Sequence, residues 1–145
     1  MKVQTKFQGE VEALETDLFT FVKPLLGFEE KTTFAMVPAL EEVSPFVMMQ
    51  SVEDVNLAFY LVSPWIVKTD YEFNLTSEQV ELLDVETAED VHVMSLVTLN
   101  ADIEKMTANL VAPIVMNMKN QRAMQIVLQQ TEYTTKHFIL KQEVE

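Results

Sequence analysis

Apolar side chains in this chain gather in short runs, and most runs are closed by proline, serine, asparagine or aspartate. Residues 3–15 alternate loosely between apolar and polar positions, the period of a strand with one buried face, and turn near Gly9; a first strand or hairpin is expected there. Residues 18–22 (LFTFV) form a β-rich run that Pro24 breaks, and residues 33–37 (TFAMV) form another that Pro38 closes. Residues 24–28 read as a turn carrying apolar side chains, and residues 41–45 as a polar loop. A strand begins at residues 46–50, a connection rich in turn formers follows at 51–56, and residues 57–62 (LAFYLV) make a strong strand. That last run is apolar throughout, so burial on both faces is expected. Trp65, Ile66 and Val67 are read as its brief resumption after Ser63 and Pro64.

Thr76, Ser77, Glu78 and Gln79 carry the signature of a capping box, with Thr76 at the N-cap and Gln79 at the third helical position. A short helix over residues 77–83 follows, with Val80 and Leu83 on one face. Residues 87–90 read as a turn or one helical turn, and residues 91–99 (VHVMSLVTL) as the longest strand. The segment 107–117 opens on Thr107 and Asn109, which bond locally to backbone at turns, and then runs apolar like a buried strand. Residues 112–118 and 123–129 bracket a hairpin tip, and residues 133–140 supply a last strand. About eight short strands and one small helix predict an all-β, mainly antiparallel domain, a compact barrel or sandwich. No repeat or linker divides the chain, so residues 1–140 are expected to form one domain and residues 141–145 a frayed tail.

Composition narrows the function. A chain of 145 residues, 48% of them hydrophobic, is long enough for a real core. No apolar run approaches the roughly 18–20 residues that span a bilayer, and the first residues lack a signal peptide's apolar stretch, so a cytoplasmic location is expected. The absence of cysteine excludes disulfides and thiolate metal sites. With only Gly9 and Gly27, no phosphate-cradling glycine loop is possible. The net charge of −13 repels nucleic acid and anionic membranes and speeds encounter with basic partners; solubility is its plainer use.

Candidate chemistry is thin. His92 and His137 have no second ligand at metal spacing, and no Gly-x-Ser-x-Gly elbow exists. Asn100, Asp102 and Glu104 imitate the start of a calcium loop, but Lys105 stands where that loop needs glycine. Neither metal nor cofactor is expected. The nine methionines suit either core filling or an adaptable surface. Pro64 and Trp65 with Tyr71, Glu72 and Phe73 make a binding candidate, because such rings recur at interface hot spots; a core anchor is the other reading.

Several short motifs, in order, resemble the FliW family of flagellar assembly factors across nearly the whole chain. They include Thr5-Lys6-Phe7, Gly27-Phe28-Glu29, Ser44-Pro45-Phe46, Gln50-Ser51-Val52, Asn56-Leu57-Ala58-Phe59, Asp70-Tyr71-Glu72, Thr107-Ala108-Asn109-Leu110, Gln125-Ile126-Val127-Leu128 and Tyr133-Thr134-Thr135-Lys136-His137. The variant is similar to those of spore-forming, Gram-positive bacteria. One departure is Pro24, where the family pattern carries glycine; proline fixes φ near −65°, so that turn differs. The resemblance implies a binding protein, not an enzyme, with two mutually exclusive partners. One is flagellin before export. The other is CsrA, a basic RNA-binding dimer that represses flagellin translation. The contact residues it implies are Gln50, Ser51, Asp54, Asn56 and Phe59 in one region, Tyr71 and Glu72 in a second, and Thr107 and Asn109 in a third.

Two rival readings stand beside it. A small β-barrel can carry an apolar ligand, although Phe59, Met94 and Leu96 are expected to fill this one. A hydrolase with hidden paired carboxylates predicts a cleft holding a strongly perturbed acid.

Overall fold

The computed structural model describes residues 1–25, 27–30, 32–38, 45–129 and 131–140. The predicted loop at 41–44, the Leu26 part of the 24–28 turn and the tail at 141–145 lie outside the described residues.

The strands are β1 (Lys2–Thr5), β2 (Gly9–Glu12), β3 (Leu18–Phe21), β4 (Thr33–Pro38), β5 (Val47–Ser51), β6 (Ala58–Val62), β7 (Val91–Thr98), β8 (Thr107–Ala108), β9 (Ile114–Asn117), β10 (Arg122–Gln125) and β11 (His137–Phe138). Two helices, α1 (Pro64–Val67) and α2 (Ser77–Leu83), fall between β6 and β7. β1 and β2 form a hairpin whose turn ends on Gly9 at φ +67°, a value glycine adopts without strain.

Seven strands close on themselves in the order β7-β6-β5-β4-β3-β10-β9, and β9 pairs back to β7. All these pairings are antiparallel except β10 with β3. The result is a barrel, mostly β, as the alternation along the chain predicts. Every barrel strand sends alternate side chains inward: Phe19 and Phe21, Phe34 and Met36, Met49, Phe59 and Leu61, Met94 and Leu96, Ile114 and Met116, and Ala123. This explains why closure is possible at all: a row of large apolar residues occupies the space a small barrel must fill.

The outer face is covered in two places. The β1–β2 hairpin lays Val3 and Val11 over Ala35, Val37 and Met48. On the other side, α2 and the chain before it pack Phe73, Leu75, Leu82 and Leu83 onto Val93, Val115, Met124 and Ile126. Against the expected burial of residues 57–62 on both faces, only Leu61 and Val62 are buried, while Leu57, Ala58, Phe59 and Tyr60 are half-buried.

Local chemistry accounts for the helix. The Thr76 hydroxyl accepts from the Gln79 N–H at 3.2 Å, and the Gln79 side chain accepts from the Thr76 N–H at 2.9 Å. Both halves of the predicted capping box are formed. Leu83, not Val80, is its fully buried residue. At the other end Asp84 turns left-handed (φ 52°), and the amides of Asn117 and Asn120 donate to the Leu83 carbonyl at 2.9 Å. The β9–β10 hairpin thereby caps the helix C-terminus.

Three expectations need correction. Trp65 to Val67 do not resume β6: Pro64, at the first helical position, starts a helical turn instead. The run 107–117 is not one strand. It breaks between β8 and β9, where Asn109 Oδ1 accepts from the N–H groups of Val111 and Ala112 at 3.0 Å each and Pro113 offers no donor. Residues 133–140 pair only at His137 and Phe138.

Candidate functional site

The first candidate region is the turn joining β5 to β6. Gln50 is fully buried and acts as its keystone. Its Oε1 accepts from the Lys6 N–H at 2.9 Å, and its Nε2 lies 3.0–3.3 Å from the carbonyls of Ser51, Asp54, Val55 and Leu57. The Ser51 hydroxyl, also buried, accepts from the N–H groups of Glu53 and Asp54. Asp54 accepts from the Asn56 N–H at 2.9 Å. Glu53 reaches sideways to the N–H groups of Thr32 and Thr33. Phe59 points inward and meets Phe28 edge-on, ring centres 5.5 Å apart. Of the five residues singled out here, Asn56 is exposed and Asp54 half-exposed; Gln50 and Ser51 build the turn from within.

The second region centres on Tyr71, which is buried. Its hydroxyl donates to the Leu110 carbonyl at 2.8 Å, and Trp65 Nε1 donates to the Tyr71 carbonyl at 2.8 Å. Trp65, Phe73 and Tyr133 surround its ring, Tyr133 at a centroid distance of 4.6 Å. Burial, and then the neighbouring Tyr133 phenol, push the Tyr71 phenol well above its usual range. Tyr71 is therefore the core anchor of the two alternatives, and the exposed groups beside it are Trp65 and Glu72. The Tyr133 hydroxyl accepts from the Glu72 N–H at 2.9 Å and lies 3.0 Å from the Glu72 carbonyl, to which it donates.

The third region joins the second. Thr107 is buried in β8, Asn109 shapes the turn, and Leu110 takes the Tyr71 bond while its own N–H donates to the Thr134 carbonyl at 3.0 Å. Tyr71, Glu72, Asn109 and Tyr133 thus belong to one framework. Among the described residues no hydrogen bond ties the Gln50 turn to it.

A groove of about 370 Å³ opens beside this framework, between residues 72–79 on one side and residues 126–129, Thr131 and Tyr133 on the other. Phe73, Ile126 and Leu128 give it apolar surface, and Glu72 is its only ionised lining residue among those described. Sequence reading misses this groove because its walls, residues 72–79 and the segment from Ile126 onward, are far apart along the chain. The one local trace is the alternation Glu72, Phe73, Asn74, Leu75, which is exposed, half-buried, exposed, half-buried.

The remaining candidate groups stand apart from one another among the described residues. His92 is exposed on β7, and His137 Nδ1 lies 3.0 Å from the carbonyl of Phe138. Asn100 and Asp102 bond to backbone N–H groups two residues on, as ordinary turn formers do. Among the described residues no group of three or more His, Cys, Asp or Glu could hold a metal ion.

The FliW protein family profile matches residues 2–139. The flagellar assembly factor FliW of Bacillus subtilis (strain 168) is 45% identical over 137 residues, covering 94% of this chain and 95% of that protein. The flagellar assembly factor FliW of Ruminiclostridium cellulolyticum is 36% identical over 148 residues, covering 99% of this chain and all of its own length. A crystal structure of the flagellar assembly factor FliW superposes with a TM-score of 0.90 at 32% identity, covering 99% of this chain and 100% of that one. A match over this length in sequence and in fold has one meaning: the chain belongs to the FliW family of flagellar assembly factors.

Proposed function

We propose that this chain is a partner-exchange regulator. It binds CsrA and relieves CsrA's repression of flagellin translation, and it binds flagellin in a complex that excludes CsrA. When free flagellin falls, the chain is released, captures CsrA, and flagellin synthesis resumes. It works in the cytoplasm, by being bound and without a cofactor.

The observation that carries this reading is membership of a flagellar assembly family combined with a net charge of −13. An anionic surface steers a basic RNA-binding protein into complex. Once bound, its field opposes RNA phosphate at neighbouring surface, because phosphate binding is dominated by charge. RNA exclusion then needs no occupation of the RNA groove. For flagellin, a mobile terminal segment grasped against apolar surface is the fitting mode, at an entropic cost for ordering it.

The rival readings find less support. Phe19, Phe34, Met49, Leu61 and Ile114, all essentially inaccessible, occupy the interior a carried ligand would need. Asp70 is held below its usual range by its bond to Lys68, but on an exposed turn rather than in a cleft.

The test is binding of purified CsrA and purified flagellin to the immobilised chain at low ionic strength, followed by competition. Each protein should bind and each should displace the other, while a large excess of RNA should not compete with the chain for CsrA. Simultaneous occupancy by both proteins, or indifference to both, would overturn the reading.

A further inference from the structure

Residues 72–75 pair with no strand among the described residues. Their burial alternates with a period of two, Phe73 and Leu75 packing into the outer core while Glu72 and Asn74 face solvent. The N–H and the carbonyl of Glu72 both meet the Tyr133 hydroxyl, so both point across the groove toward residues 126–133. In an extended chain every second residue directs its N–H and C=O to the same side. The period-two burial puts Asn74 on the same side as Glu72, and Asn74 and Thr76 both line the groove. The Thr76 N–H is taken by Gln79 Oε1. Among the described residues, nothing bonds to the N–H or the carbonyl of Asn74. One donor–acceptor pair is thus left open between two satisfied neighbours, over an apolar floor of Phe73, Ile126 and Leu128.

An open main-chain pair in extended geometry is a template for an added strand. The charge around it selects the strand's sign. Glu72 lines the groove, and Glu132 stands exposed beside its wall in sequence. The nearby Lys68 and Lys23 are engaged with Asp70 and Glu78 at 3.0 and 3.9 Å.

We propose that this groove takes an extended, cationic segment of a partner protein, which adds as a strand along residues 72–75 and exchanges one N–H···O=C pair with Asn74. Its alternate apolar side chains sit on Phe73, Ile126 and Leu128, and a basic side chain lies near Glu72. The Tyr133–Glu72 bonds and the Tyr71–Leu110 bond hold the wall in place before the partner arrives. This assignment deepens the reading of the chain as a partner-binding regulator and rests on it for the identity of the partner.

The experiment uses the full chain and two synthetic peptides, one alternating lysine with valine and one alternating glutamate with valine. The lysine peptide should bind and slow exchange of the Asn74 amide; the glutamate peptide should not. Asn74→Pro removes the N–H, and Asn74→Ala removes the side chain alone. Because no hydrogen bond reaches the Asn74 main chain among the described residues, both variants should melt with the wild type. Asn74→Pro should weaken the lysine peptide about tenfold, the scale of a lost main-chain pair, with Asn74→Ala close to wild type. An unchanged Asn74 amide under saturating lysine peptide overturns the assignment, as do equal losses from the two variants or equal binding of the two peptides. Failure of CsrA and flagellin to bind the wild-type chain sinks the partner-exchange reading instead, and leaves the peptide result to stand or fall separately.

Discussion

Gln50 shows how a single buried amide sets a surface. It joins the tip of the β1–β2 hairpin, through the Lys6 N–H, to the carbonyls of the β5–β6 turn. Gln50→Ala strands those groups, and a loss of about 2–3 kcal/mol is expected in urea unfolding, the cost of leaving buried donors and acceptors unpaired. Asn56→Ala, at the exposed tip of the same turn, should stay within about 0.5 kcal/mol of wild type. That contrast makes Asn56 a usable probe of partner contact and Gln50 a poor one. Tyr71 carries a pH signature. Its folded phenol is raised by burial above the ordinary value of about 10, so folding favours the neutral form. The stability tied to it is fully present below that value and is lost as pH rises beyond it, because only the unfolded chain then ionises. Tyr71→Phe should lower stability by about 1–2 kcal/mol near neutrality, the Leu110 carbonyl losing its donor. It should also remove one phenol's share of the alkaline decline, read by urea unfolding across that range. Sequence offers the core anchor as one reading of Tyr71, but not the bonding partner of either residue, since the Gln50–Lys6 and Tyr71–Leu110 pairs span 44 and 39 positions.

Among the elements, α2 was legible because every determinant is local. Thr76 and Gln79 sit three residues apart, and the side chain of each bonds to the other's backbone N–H. Thr76→Ala should cost about 1 kcal/mol, measured as a lowered thermal midpoint, and Thr76→Ser should keep most of it. The strands were legible for a similar reason: a period of two needs only neighbours to declare itself. What joins them was not. The parallel contact of β10 with β3 and the return of β9 to β7 close the barrel, yet both depend on register between segments with no shared signal. The error at 107–117 has a different cause. Most of its apolar residues are buried, as a strand's would be, but Asn109 and Pro113 bend the backbone, and hydrophobicity alone cannot tell a buried turn from a buried strand. The groove falls in the same class. Its walls come from two elements that meet only once the barrel has closed, and its open main-chain pair is defined by which neighbours are already bonded.

At the scale of the whole molecule, the charge of −13 acts in two opposite ways, and their signs can be separated. Ten basic residues face twenty-three acids, and the ion pairs seen among the described residues are exposed ones such as Lys68–Asp70 and Lys119–Glu86. Exposed pairs of this kind contribute little, so most of the acid surplus acts as a field. Within the folded chain that field is self-repulsion, and salt relieves it. Toward a basic partner it is attraction, and salt weakens it. Raising ionic strength from about 0.05 to 0.5 M shortens the screening length from roughly 14 to 4 Å. Unfolding midpoints should therefore rise with salt, whereas the association rate with CsrA should fall by about tenfold or more, with dissociation changing far less. Stopped-flow mixing and urea unfolding in the same salt series read both quantities. If the charge served solubility alone, the stability trend would persist and the association rate would be flat. A surface that steers a cationic partner requires the two curves to run in opposite directions.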